Sequence, residues 1–371
     1  MAIRVLIDAH LIGSRETGNE TYTVNLLHAL SYLPDVECGA AILPGCKFPS
    51  YLSQVEPLTL SSTGNWNRIC FSLPRLCRQW KADILHVNYV GPFYSHCPIV
   101  TTVHDVTFKR YPSFFSLRDR LLFTTLLPLT MYHPRSTIIT VSNHAKREIG
   151  HFYPKLADKI HVTPEAADPK FRQVHSKNLL DNVKLRYGIN SDFILAVGNL
   201  QPRKNLARLI KAFVTIRDQC GGIQLVVVGK AQWQSSEIYK IVQNLHLENK
   251  VIFTGYVPDE DLVLLYNAAR VYAYPSVYEG FGLPILEAMA CGTPVITSNT
   301  ASMPEVAGDA ALLVDPLSEE QIGQVIINVL SNPELATTLI EKGLKRAKEF
   351  SWQKTALSTL TTYQNAVGIC T

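Results

Sequence analysis

The chain has 371 residues, 47% hydrophobic and 18% charged, with a net charge of +4; that composition excludes a disordered or collagen-like protein, and the length calls for two domains rather than one core. The charge excess lies in residues 1–170, with 17 Lys+Arg against 13 Asp+Glu. Without a Lys/Arg cluster or a basic-aromatic run it argues against nucleic acid; it suits an anionic acceptor or a membrane surface on the first half, though a plain solvated surface accounts for so small an excess better.

The opening Met-Ala-Ile-Arg-Val-Leu-Ile-Asp8 reads as a first strand and lacks the long apolar core of a signal peptide. No apolar run is long enough to span a bilayer, so a cytoplasmic protein is expected, with peripheral contact at the inner face of a membrane left open. Eight scattered cysteines (Cys38, Cys46, Cys70, Cys77, Cys97, Cys220, Cys291, Cys370) include no C-x-x-C pair, so neither a disulfide framework nor a zinc site is indicated.

After the first strand comes Glu16-Thr-Gly-Asn-Glu-Thr-Tyr22. Gly18 could bring backbone close to a diphosphate, although an ordinary helix-entry turn fits equally well. Further β-branched runs follow at residues 84–87, 99–103, 137–141 and 160–163. The run at 99–103 ends at His104. A histidine ending a strand is more often structural than catalytic, and Asp105 either orients it or begins the next turn. Residues 114–132, with Arg118, Arg120 and many leucines, read as a core helix with a charged outer face that Pro128 kinks or ends.

The strand rhythm stops around residues 165–192 and restarts at 193–197, 223–228, 251–254, 271–273, 294–297 and 311–314. Strand-helix alternation with nearly continuous apolar strands predicts parallel sheets covered on both faces. The domains are placed at residues 1–170 and 171–350. A C-terminal helix over 351–371, with Trp352, Ala356, Leu360 and Tyr363 near one face, can pack on either of them.

In open α/β sheets ligands bind beyond the carboxyl ends of strands, which directs attention to three loops of the second half. Asn199 to Asn205 carries Arg203 and Lys204, cations able to meet a departing diphosphate; in the plainer reading Asn205 caps the next helix and both cations are solvated. Asp259-Glu-Asp261 has a metal-diphosphate spacing, but acidic residues at a helix start explain it well. The richest loop is Glu279-Gly-Phe-Gly-Leu-Pro-Ile-Leu-Glu287. Gly280 and Gly282 would let backbone amides approach an anion at a helix N-terminus, Pro284 suits the first helical position, and Gly292 lies just past the end. Glu279 and Glu287 suit sugar and ribose hydroxyls better than phosphate.

That loop resembles the retaining glycosyltransferases of family 4, in its E-x7-E spacing and in the Gly-Phe-Gly-Leu-Pro between the glutamates. The likeness continues through Cys291-Gly-Thr-Pro-Val-Ile296, Pro304-Glu-Val-Ala-Gly-Asp309, Gly198-Asn-Leu-Gln-Pro-Arg-Lys-Asn205 and Gly255-Tyr-Val-Pro258, and more thinly through Thr102-Val-His-Asp105 and Val141-Ser-Asn143. It implies a GT-B fold, two Rossmann-like doubly wound domains facing each other across a cleft. It further implies transfer of a hexosyl group from a nucleotide diphosphate sugar to a glycan or lipid-linked glycan hydroxyl, with retention of anomeric configuration and no catalytic metal or other cofactor.

By the same resemblance Glu279 and His104 hold the hexose, Glu287 the ribose, and the amides of Gly280, Phe281, Gly282 and Leu283 the sugar and diphosphate. Tyr256 and Val257 meet the nucleobase. Lys204 stabilises the leaving group, and Arg203 stands in for the arginine that many members have where this chain has Asn199. The Pro-Arg-Lys-Asn string, and His-Asp followed by Arg110-Tyr-Pro112, look like bacterial surface-polysaccharide enzymes; GDP-mannose is therefore favoured over UDP-hexoses. A sugar-nucleotide epimerase of the same architecture and a degenerate nucleotide-sugar-binding subunit remain as alternatives.

Overall fold

A computed structural model describes residues 2–14, 17–231 and 235–368. Cys370 and Glu16 lie outside the described residues. The chain divides into two units, residues 1–165 with 351–371, and residues 166–350. Each is an α/β body built on a wholly parallel sheet, and together they are the two Rossmann-like domains of the GT-B class.

In the first unit seven strands, β1 (Ile3–Asp8), β2 (Val36–Ile42), β3 (Glu56–Thr59), β4 (Ile84–Asn88), β5 (Ile99–Thr102), β6 (Ser136–Thr140) and β7 (Ile160–Val162), run in the order 3-2-1-4-5-6-7. Leu6, Leu85, Val87 and Ile99 pack with Trp80 in one of its cores, each such side chain contributing about 1.5–3 kcal/mol by leaving water. The C-terminal helix Trp352–Val367 belongs to this unit. It buries Trp352, Ala356, Leu360 and Tyr363 and packs on the helix Thr17–Ser31 and on β5 and β6.

The second unit holds β8 (Phe193–Val197), β9 (Gln224–Val228), β10 (Val251–Gly255), β11 (Val271–Tyr274), β12 (Val295–Ser298) and β13 (Ala311–Val314), in the order 10-9-8-11-12-13. β8 lies between β9 and β11, with Val271 opposite Ile194. Strand order reverses there, and in such sheets the carboxyl edge at the reversal is where ligands bind.

Two expectations need correction. Residues 114–132 hold a helix, Leu117–Met131, that does not end at Pro128; the turn beyond it closes with Tyr132 N donating to the Pro128 carbonyl. Its outer face is not simply charged, since Leu117, Leu121 and Leu129 are exposed as well as Arg118 and Arg120. The cysteines also cluster more than their spacing suggested. Cys77 and Cys97, from different elements, bring their sulfurs within 3.1 Å, and His96 places a ring nitrogen within 4.8 Å of both. Both thiols sit in the core beside Leu73 and Ile99.

Candidate functional site

In the second unit the chain leaves β8 through Gly198 and Asn199, turns once over Pro202–Lys204, and enters the helix Leu206–Cys220 at Asn205. Asn205 does not cap that helix through its side chain. Its backbone is left-handed (φ 59°), and its amide donates instead to the carbonyls of Pro275 (2.9 Å) and Pro316 (2.6 Å). This ties the β8 turn to the loop leaving β11. Val277 N, donating to the Arg203 carbonyl at 2.8 Å, adds a second tie.

That loop carries Glu279 to the two cations. Lys204 Nζ lies 2.9 Å from Glu279 Oε1 and donates to the Tyr274 hydroxyl at 2.6 Å. Arg203 pairs with Glu279 Oε2 and donates through Nε to Gln201 at 3.0 Å. Gly282 has φ 110°, open to glycine at little cost, and turns the chain into the helix Leu283–Ala290 with Pro284 in its first turn. Ser302 donates to the carbonyls of Glu279 and Phe281 at 2.9 and 2.7 Å, fixing the glycine-bearing segment from outside. Residues 278–283 are all buried.

The two glutamates differ in charge state although they share one segment. Burial alone would raise the Glu279 carboxyl, but Arg203 and then Lys204 bring it down to about 2. Burial lowers Lys204 to about 8, with Glu279 opposing that shift and Arg203 adding to it. Two cations against one ionised carboxylate leave one net positive charge beside a helix N-terminus, an arrangement suited to an anion. Glu287 makes no ion pair among the described residues. Burial pushes it up to about 7 despite the Tyr266 hydroxyl donating to its Oε2 at 3.0 Å, and Lys170 lowers it only from a distance.

The remaining candidates of this unit lie around β9 and β10. Asn199 Oδ1 accepts from Lys230 N at 3.2 Å, and Lys230 Nζ stands 5.3 Å from the ring centroid of Tyr256. Tyr256 is half-exposed and Val257 is buried. The Asp259 and Asp261 carboxylates begin the helix Asp259–Ala268 and are occupied with Lys170 and Arg186.

In the first unit His104 follows β5. Asp105 does not orient it; its carboxylate accepts from Thr107 N at 2.9 Å and starts the following turn. Instead, His104 Nδ1 meets Glu165 Oε1 at 3.0 Å, and Tyr22 packs edge-on against the ring at 4.7 Å. Gly18 sits exposed at the start of the helix Thr17–Ser31, with open space where a Cβ would stand. Glu165 escaped the sequence reading, as did Asp8, a buried carboxylate ending β1. Burial would raise Asp8, but His10 at 2.9 Å and Arg68 lower it. Its place at the end of the first strand was the available signal. For Glu165 the signal was weaker, one acidic residue following a short strand in a stretch read as a linker.

Residues 18–171 match the model described as Glycosyltransferase Family 4, and residues 182–346 match Glycosyl transferases group 1. The chain is 31% identical over 367 residues to O-antigen chain mannosyltransferase B of Escherichia coli, covering 94% of this chain and 96% of that protein. It is 27% identical to O-antigen chain mannosyltransferase RfbU of Salmonella typhimurium, over 89% and 92% of the two chains. Among solved structures, sucrose-phosphate synthase from Thermosynechococcus elongatus superposes with a TM-score of 0.78 at 21% identity over the whole of both chains. Anabaena HepE in complex with UDP-glucose gives 0.76 at 18% identity, covering 98% of this chain and 100% of that one.

Proposed function

The chain belongs to glycosyltransferase family 4, and from that premise we propose that it transfers a mannosyl group from GDP-mannose to a hydroxyl of a lipid-linked surface glycan, with retention of anomeric configuration. The observation that carries the donor reading is the cluster of Arg203 and Lys204 on the buried Glu279, with its net positive charge. A mannosyl donor and a surface-glycan acceptor are supported by the near full-length likeness to an O-antigen mannosyltransferase.

In the proposed reaction the acceptor oxygen bonds to the anomeric carbon as that carbon's bond to the diphosphate oxygen breaks. The hydroxyl proton leaves on the departing diphosphate, which explains why no separate carboxylate base is assigned. Arg203 and Lys204, helped by the amides of Gly280 to Leu283, meet the charge that develops on the leaving group; one such donor is worth ~10²–10³ in turnover. Glu279 and His104 hold the hexose, Glu287 the ribose hydroxyls, Tyr256 and Val257 the base, and Gly18 and Asn199 border the diphosphate. No metal is assigned to the reaction, since two cations meet the leaving group and Asp259 and Asp261 face Lys170 and Arg186.

The test is a donor panel of GDP-mannose, UDP-glucose, UDP-galactose and ADP-glucose, read by thermal shift and by nucleotide release with and without a lipid-linked glycan acceptor. GDP-mannose should stabilise the chain most and release GDP faster with acceptor. Stabilisation by none of the four would sink the reading, and epimerised donor formed without acceptor would replace it.

A further inference from the structure

Glu165 is almost fully buried, at 4% exposure, and directs Oε1 to His104 Nδ1 at 3.0 Å. An ionised carboxylate can only accept, so the hydrogen in this bond belongs to Nδ1. In the neutral ring Nε2 then carries a lone pair and no proton. That Nε2 is buried and has no hydrogen-bond partner among the described residues, an arrangement that costs free energy unless something donates to it.

The surroundings hold the ring in place. Tyr22 stands perpendicular to it at 88°, with its own hydroxyl bonded to Thr102 Oγ1 at 2.9 Å. Thr102 in turn meets His86 Nε2 at 2.7 Å, and His86 Nδ1 meets the Tyr363 hydroxyl on the C-terminal helix. The same helix reaches the carboxylate by another route. Thr355 Oγ1 donates to the Pro164 carbonyl at 2.6 Å, immediately before Glu165, while Trp352 packs on Tyr22 with centroids 6.0 Å apart.

We propose that Glu165 is a positioning residue that fixes His104 as the tautomer protonated on Nδ1, so that Nε2 accepts a hydrogen bond from a hydroxyl of the transferred sugar, and that Thr355 on the C-terminal helix braces the pair. The sugar contact rests on the donor reading given above; the tautomer and the brace do not. The unit that holds this pair is built from residues 1–165 and 351–371, and Thr355 comes from the second stretch, so the helix is part of the apparatus rather than a cover over the sheet.

The experiment is nitrogen NMR of the full-length protein labelled on histidine, with Glu165→Gln, Glu165→Ala, Thr355→Val and Thr355→Ser, beside turnover of GDP-mannose. Wild type should show His104 protonated at Nδ1 and bare at Nε2. Both Glu165 variants should shift the ring toward the Nε2-protonated form, and Thr355→Val should do so in part, with Thr355→Ser restoring the wild-type signal. Turnover should fall ~10–100-fold in Glu165→Gln and show no further fall when Glu165→Gln is added to His104→Ala. A wild-type ring protonated at Nε2, or a Glu165→Gln loss undiminished in the His104→Ala background, overturns the positioning role. Wild-type turnover in His104→Ala together with the expected tautomer overturns only the sugar contact.

Discussion

Lys204 holds its ammonium 2.9 Å from Glu279 Oε1, with both side chains nearly buried. Arg203, itself about a quarter exposed, reaches the other oxygen of the same carboxylate, so Glu279 is shared and its removal leaves the nearly buried Lys204 and its neighbour Arg203 without that counter-charge. Breaking a buried pair from one side costs about 3–5 kcal/mol. We expect Glu279→Ala to be destabilised by roughly that amount in urea unfolding at pH 7, and the double variant Glu279→Ala with Lys204→Met to recover part of it. Equal stability of the single and double variants would show that the cations do not repel.

Glu287 makes stability depend on pH in the opposite sense from Glu279. Its folded carboxyl is near 7 against an ordinary 4.5, so the folded state holds the proton more tightly than the unfolded one. The favourable contribution is full below about pH 4.5 and is lost as pH rises through about 7, a difference of about 3 kcal/mol. Glu287→Gln should therefore unfold later than wild type at pH 8 and match it near pH 4.5. A gain of equal size at both pH values would remove burial of the charge as its cause. If Glu287 also holds the ribose, donor affinity of wild type should weaken as pH falls through 7.

Asn199 and Arg203 separate what the family resemblance joined. Asn199 accepts from Lys230 N, a backbone tie between the ends of β8 and β9, whereas Arg203 is the residue beside Glu279. We expect Arg203→Ala to lower turnover ~10²-fold or more. Asn199→Ala should cost about 1 kcal/mol of stability and less than ~10-fold in turnover. Steady-state rates at saturating donor check both, and the reverse ranking would return the lost arginine's role to position 199.

The strands that the sequence made legible are those rich in β-branched residues and buried on both faces, such as β8 and β9. β2 was missed because Val-Glu-Cys-Gly-Ala-Ala-Ile carries small residues where the sheet is crowded; a Cβ on Gly39 would come within 3.1 Å of Leu58 and Trp80. β3 was missed because Pro57 is tolerated only at a sheet edge, and this strand is one. In the site, the cations and glutamates were legible because each sits in a local string. Glu165 was not, since its partner is 61 residues away and nothing local announces a pair made by tertiary packing.

Gly198 gives the sharpest test of how the β8 turn aims Lys204. Its φ is +146°, a backbone side chains rarely adopt, and a Cβ there would meet Lys204 Cε at 3.0 Å and Cδ at 3.3 Å. An alanine therefore carries two penalties, backbone strain of about 1–3 kcal/mol and displacement of the ammonium from Glu279. Gly188 supplies the control, because its φ of +68° is also left-handed while a Cβ there meets nothing within 4 Å. Gly188→Ala should lose stability and keep its rate. Gly198→Ala should lose stability and also most of the turnover that Lys204→Ala loses, and in the Lys204→Ala background it should cost little further rate. Full turnover in Gly198→Ala, with a stability loss like that of Gly188→Ala, would mean that Lys204 finds its place without the glycine.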